Sequence, residues 1–254
     1  MSAATAAPGR AVEVRPGPGT RLRLFCFPYA GGGAGAYRGW QAALPPAVEA
    51  CPVYLPGRER RFRERVHTRM EPLVEELHQA LRPHLDLPFA LFGHSMGAAV
   101  AFELARAMER DGTPPAHLFV SGRRAPQRPP DRERIHALPD AEFVDRLRAL
   151  EGTPDEVVGD PEMMELMLPV LRGDFELSET YRYREGPPLS CPLTALGGTG
   201  DAHVGRDDLL AWRDQTRGFF RLRTFPGGHF FLHTHQADVI QEVADGLLRV
   251  LTTR

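Results

Sequence analysis

Phe89-Ala90-Leu91-Phe92-Gly93-His94-Ser95-Met96-Gly97-Ala98-Ala99-Val100-Ala101-Phe102 places a short apolar run, a G-x-S-x-G turn and an alanine-rich stretch in direct succession. Four apolar residues that stop at a glycine suit a buried strand, and Ala98 to Met108 is rich in helix formers. Five serines and 25 glycines in 254 residues would generate such a pentapeptide by chance only about 0.05 times. The turn holds Ser95 in a strained backbone, and side chains at the flanking glycines would collide with neighbouring elements. It also leaves the hydroxyl exposed at a helix N-terminus, whose dipole favours developing negative charge. The bland reading is a glycine-rich strand-helix turn with no chemistry.

Working outward, strand-like runs recur. Leu22 to Phe27 ends at Pro28 and a glycine cluster, and Ala50 to Leu55 and Leu118 to Val120 have the same character. Between the second run and Phe89 lies Pro72 to Leu85, with Leu73, Leu77, Ala80, Leu81 and Leu85 at helical spacing. Strands alternating with helices call for a parallel sheet covered on both faces. Past Ser121 the alternation stops. Arg- and Pro-rich Arg123 to Arg134 precedes helical pieces at Ala141 to Leu150, Pro161 to Leu171 and Phe175 to Tyr183, with Asp160 as an N-cap before Pro161. Strand-like runs resume at Pro192 to Leu196 and Phe219 to Phe225, and a last amphipathic helix covers Ala237 to Leu251. The expectation is one α/β domain over residues 21–254, with a helical insertion at about 125–185 and a disordered tail at 1–20.

The composition excludes several classes. With 42% apolar and 25% charged residues the chain can bury a core, and a net charge of −2 argues against bulk nucleic-acid affinity. No run of eighteen apolar residues predicts a membrane span, and MSAATAAPGR lacks the apolar region of a secretory signal. Cys26, Cys51 and Cys191 are odd in number and widely spaced, as suits free thiols in a cytoplasmic protein. All 31 basic residues are arginine, which excludes a catalytic lysine, a Schiff base and a Walker A loop.

A serine nucleophile needs a base, and the base needs an orienting carboxylate; on this turn the chain order is serine, acid, histidine. Asp201 follows an apolar run through Gly197-Gly198-Thr199-Gly200, and His229 follows another through Pro226-Gly227-Gly228. Asp207 and Asp208 are rivals for the acid, although they read better as the start of the helix holding Leu209, Leu210 and Trp212. His229, His233 and His235 form an H-x-x-x-H-x-H spacing, but the further ligands usual in zinc motifs are not nearby, so no metal is expected. His94 reads as a packing residue pointing away from Ser95. One oxyanion donor is expected at the Met96 amide and another from the loop Phe27 to Gly33. The unaided reading is a serine hydrolase acting on an acyl compound.

Phe27-Pro28-Tyr29-Ala30-Gly31-Gly32, Leu55-Pro56-Gly57-Arg58, Gly93 to Ala98, Phe102-Glu103-Leu104-Ala105, Leu171-Arg172-Gly173-Asp174-Phe175 and Gly227-Gly228-His229-Phe230-Phe231-Leu232, in this order, resemble the type II thioesterases. These are stand-alone α/β-hydrolases that accompany polyketide synthases and nonribosomal peptide synthetases, and the similarity runs from about Leu22 to Leu248. The resemblance implies the α/β-hydrolase fold with a lid at 125–185, a triad of Ser95, Asp201 and His229, and oxyanion amides at Met96 and Ala30. It implies hydrolysis of acyl or aminoacyl thioesters from the phosphopantetheine arm of an acyl or peptidyl carrier protein, a transient partner, with no cofactor; neither nucleic acid nor membrane is expected as a partner, and the sequence does not set the oligomeric state, for which a monomer is favoured. Ala202 departs from the pattern, where proline is expected after the acid. A carboxylester hydrolase of free small molecules and a silent binding protein remain the alternatives. In the insertion, Met163, Met164 and Met167 are expected to line a chamber over Ser95, because methionine adapts to varied chains. Arg58 to Arg69, six arginines against Glu59 and Glu64, could dock an acidic carrier or simply face water.

Overall fold

The computed structural model describes residues 11–129, 133–150 and 161–252. Six strands form one sheet: β1 (Leu22–Phe27), β2 (Val48–Pro52), β3 (Phe89–His94), β4 (His117–Ser121), β5 (Leu193–Gly198) and β6 (Phe220–Phe225). Their order is β2-β1-β3-β4-β5-β6, and every neighbouring pair is parallel. A parallel sheet needs helical crossovers, which cover both faces.

Side-chain alternation along β1 shows the two layers. Phe25 and Phe27 face the cluster holding Leu73, Leu77 and Leu81 of α2 (Met70–Leu81) and Val100 and Leu104 of α3 (Met96–Arg110). Leu22, Leu24 and Cys26 face the opposite cluster, with Trp40 of the short α1 (Trp40–Ala43) and Val239, Ile240, Val243 and Leu247 of the C-terminal helix (Gln236–Thr252). Burial pushes the thiols of Cys26, Cys51 and Cys191 up, and all three are free and buried, so they pack rather than react.

The insertion lies between β4 and β5. It carries α4 (Asp140–Ala149) and one continuous helix, α5 (Pro161–Thr180), where the sequence suggested two pieces. Gly173 does not break α5: a Cβ there would lie 2.7 Å from Val66 Cγ1, so the glycine allows close packing on the loop before α2. Ile135, Phe143, Leu147, Met164 and Leu171 form the insertion's own small core. The proposed N-cap Asp160 lies outside the described residues.

Part of the stretch expected to be a disordered tail is packed. Ala11 and Val12 are buried, Val12 bridges to Val53, and the Tyr54 amide donates to the Ala11 carbonyl at 2.8 Å. A few apolar residues in a polar stretch suffice to pin it. Among the described residues, no helix is long and apolar enough to cross a membrane.

Candidate active site

The turn after β3 has the geometry its glycines predicted. Ser95 holds φ 53° and ψ −114°, an uncommon backbone for a non-glycine residue, between β3 and the first residue of α3. A Cβ on Gly93 would stand 2.0 Å from the Gly97 carbonyl oxygen, and one on Gly97 would stand 2.2 Å from the Phe27 oxygen. Neither backbone can give way, so both positions require glycine. The Ser95 amide donates to the Ser121 carbonyl of β4 at 2.8 Å, which ties the turn to the sheet.

Two further glycine loops meet at the same sheet edge. The amides of Thr199 and Gly200 donate to the carbonyls of Phe225 and Gly227, both at 2.8 Å, and a Cβ on Gly198 would lie 2.3 Å from the Gly228 oxygen. This close approach of the loops after β5 and β6 delivers Asp201 to His229. Asp201 Oδ2 accepts from His229 Nδ1 at 2.7 Å, while Oδ1 accepts from the amides of His203 and Val204 at 2.8 and 3.2 Å. The Asp201 side chain is fully buried. Burial raises its pKa, but the His229 hydrogen bond and charge and the two amides outweigh that, and the carboxyl sits below the usual range. Three hydrogen bonds fix Asp201, so Ala202 in place of proline leaves it well held.

The rivals fall elsewhere. Asp207 and Asp208 occupy the first turn of the helix Arg206–Leu210, and Asp208 accepts from the Gly205 amide and pairs with Arg124. His233 Nε2 meets the Tyr29 hydroxyl at 3.0 Å, and His235 faces Asp238. Among the described residues no group of three His, Cys, Asp or Glu side chains could hold a metal ion. His94 is fully buried, its Nδ1 2.9 Å from Ser121 Oγ and its ring centroid 5.1 Å from that of His229. Burial, with the charges of His229 and His233, holds His94 well below the usual imidazole range, so it stays neutral beside His229.

Ser95, Met96, Ala30 and His229 all line one chamber of about 420 Å³, within the size range of small-molecule sites. Met96 is the first residue of α3, so its amide is one of the donors left without an intrahelical acceptor. Ala30 lies in the loop after β1, where Gly31 has φ 75°.

The chamber walls differ from expectation. Ile135, Leu147, Ala149 and Leu150, and Leu171 and Phe175 of α5, supply the insertion's apolar share, with Val204 and Phe230 from the acid and base loops. Met163, Met164 and Met167 are not among the lining residues: Met163 is exposed, Met164 is buried in the insertion's own core and Met167 packs against it. The apolar stripe of α5 runs its full length, but only its C-terminal half reaches the chamber. Arg123, Arg124 and Arg134 of the Arg- and Pro-rich stretch and Arg146 also line it, a role the sequence did not assign them. Tyr29 and Phe230 also line it; each lies inside a motif that the sequence marked, but neither was assigned to the site.

The Arg58 to Arg69 run is not one basic surface. Arg61 is fully buried, with its guanidinium on Glu64 and Glu76, Arg58 is buried against Asp174, and Arg60 stacks on Tyr54. Arg60, Arg63, Arg65 and Arg69 of the six are exposed.

A thioesterase-domain family model matches residues 22–247. The gramicidin S biosynthesis protein GrsT of Aneurinibacillus migulanus is 44% identical over 235 residues, covering 92% of each chain. The solved structure of RedJ, a thioesterase from the prodiginine pathway of Streptomyces coelicolor, superposes with TM-score 0.83 at 43% identity, covering 89% of this chain and 86% of that one. The structure of BorB, a type II thioesterase from the borrelidin biosynthetic cluster, gives TM-score 0.86 at 42% identity, covering 93% and 97%.

Proposed function

The chain belongs to the thioesterase family, and we propose that it hydrolyses acyl or aminoacyl thioesters on the phosphopantetheine arm of carrier proteins, clearing stalled groups from a polyketide or nonribosomal peptide assembly line. The observation that carries the mechanism is a single chamber holding the strained Ser95 and a His229 oriented by buried Asp201.

In this scheme Ser95 Oγ attacks the thioester carbonyl carbon and passes its proton to His229 Nε2. His229 Nδ1 keeps its hydrogen on Asp201, which fixes the tautomer with Nε2 free to accept and stabilises the imidazolium. The carbonyl oxygen becomes an oxyanion facing the amides of Met96 and Ala30. As the intermediate collapses, the C–S bond breaks and the thiol leaves with the proton from His229. Water then attacks the acyl-serine ester, giving its proton to His229; collapse returns that proton to Ser95 and releases the acid. No cofactor enters these steps, since phosphopantetheine arrives with the substrate.

The insertion supplies the wall that an open elbow lacks. Its apolar side chains would take the acyl group, and similarity to type II thioesterases of the borrelidin biosynthetic cluster and the yersiniabactin NRPS/PKS pathway supports a carrier-borne substrate over a free one. The test offers a panel of acyl-carrier proteins and the matching free thioesters and carboxylesters to wild type and to Ser95→Ala. The proposal expects higher kcat/KM on carrier-bound thioesters and negligible turnover by Ser95→Ala. Equal or better rates on free carboxylesters would favour an ester hydrolase instead.

A further inference from the structure

The loop that carries Ala30 is held by a buried ion pair reaching across from the lid. Asp174 of α5 is 2% exposed and Arg58 is 6% exposed. Their contact is two-pronged: Arg58 Nη1 donates to Asp174 Oδ2 at 2.6 Å and Nη2 to Oδ1 at 2.7 Å. Both partners also grip the loop. Asp174 Oδ2 accepts from the Gly31 amide at 2.8 Å, and Arg58 Nη1 donates to the Gly32 carbonyl at 3.0 Å. The next residue, Glu59, accepts from the amides of Ala34 and Gly35 at 2.9 and 3.1 Å. Glu59 takes φ 49° to do so, and a Cβ on Gly33 would meet its carboxyl carbon at 2.6 Å. The lid helix sits directly on this loop, since a Cβ on Gly31 would lie 2.4 Å from Leu171 Cδ2.

Buried ion pairs are weak contributors to stability, because desolvation offsets their attraction. A planar guanidinium fork, however, fixes geometry in a way that a point charge cannot. Here the fixed object is a glycine-rich backbone with little stiffness of its own, one residue from a proposed oxyanion donor. Displacing such a donor by an ångström loses much of its effect on the transition state.

We infer that Arg58 and Asp174 are positioning residues that hold the Ala30 amide in its oxyanion-binding orientation and tie that orientation to the seating of the lid helix α5. The inference rests on the acyl-transfer reading above. It assigns the first arginine of the basic run to the interior of the site.

The test uses the full chain with Asp174→Asn and Arg58→Lys, the latter keeping the charge and losing the fork. Three quantities are measured: steady-state hydrolysis of an S-acyl N-acetylcysteamine, inhibition by the matching trifluoromethyl ketone, and binding of the unreactive thioether. The ketone is attacked by Ser95 Oγ, and its carbonyl oxygen becomes the oxyanion. Positioning predicts that kcat falls about 10- to 100-fold, short of the roughly 10²- to 10³-fold cost of removing a donor outright. KM and thioether affinity should stay within about two-fold, while ketone affinity falls in step with kcat/KM. Should Asp174→Asn fail to fold, Arg58→Lys carries the same comparison. Ser95→Ala is run alongside, and sustained turnover there would overturn the acyl-transfer reading itself. If Ser95→Ala is inactive but the Arg58 and Asp174 variants keep kcat, or lose thioether and ketone affinity equally, the positioning role alone is overturned.

Discussion

Asp201→Asn tests the orientation of the base, and the structure decides which way the new amide turns. Asp201 Oδ1 accepts two backbone amides, from His203 and Val204, whereas Oδ2 accepts one ring N–H, from His229. An asparagine whose oxygen faced His229 would point its NH2 at two amide donors in a buried position, leaving both unsatisfied. That costs roughly 1–3 kcal/mol for each. The opposite orientation keeps both amide bonds and turns NH2 toward His229 Nδ1, which must then become an acceptor. The proton moves to Nε2, the atom that has to take the Ser95 proton. The fold is thereby preserved and the base is disabled, so kcat should fall by about 10⁴-fold, roughly 5 kcal/mol of barrier. Substrate affinity should change little, because Asp201 is behind His229 and is not among the residues lining the chamber. The assay is steady-state thioester hydrolysis with thiol detection, beside a thermal melt to confirm folding. A loss under about ten-fold, or a larger loss from Asp208→Asn than from Asp201→Asn, would refute the assignment of the acid.

Gly97→Ala should destabilise the protein by more than about 2 kcal/mol, since the added Cβ would meet the Phe27 and Pro28 carbonyl oxygens at 2.2 and 2.6 Å; urea unfolding checks this, and a change below about 0.5 kcal/mol would mean the turn is not so constrained. Phe175→Ala should widen the chamber and shift preference toward bulkier acyl groups by about ten-fold or more, whereas Met163→Ala, altering an exposed side chain, should leave the acyl profile unchanged; equal profiles for the two variants in a competition assay would place specificity elsewhere. Because the folded-state pKa of Asp201 is lowered, its contribution to stability is present above the unfolded carboxyl value of about 3.9 and is lost as pH falls through the folded value. The melting temperature of Asp201→Asn should therefore fall less steeply than wild type on acidification below that value, and parallel profiles would contradict the linkage.

What could be read in the sequence and what could not divides by the range of the interactions. The elbow was legible because its constraint is local: Gly93 and Gly97 are required by backbone atoms at fixed offsets or at the end of the adjacent strand. Asp201 and His229 were legible because each follows an apolar run and a glycine loop, and a parallel sheet brings such loops to one edge. The lid methionines misled for the opposite reason. Helical periodicity identifies the apolar face of α5, but which turns of that face reach the chamber depends on how the insertion docks, and no local spacing encodes that. The basic run failed similarly. Arg58 looks like a surface charge until Asp174, 116 positions away, is brought against it.

That failure carries a physical consequence for the reaction. The elbow and the acid loop follow the buried strands β3 and β5, and the base loop after the edge strand β6 is tied to the acid loop by backbone hydrogen bonds, so Ser95, Asp201 and His229 inherit the rigidity of the sheet. Ala30 does not. Its loop is glycine-rich, and it depends on Asp174 from the insertion and on Glu59 from the segment after β2. Of the groups assigned to the chemistry, the second oxyanion donor is therefore the one whose placement answers to the lid. A lid displaced from Gly31 would leave the triad assembled and the oxyanion site incomplete, so the seating of α5 should govern the barrier more than it governs the orientation of the base.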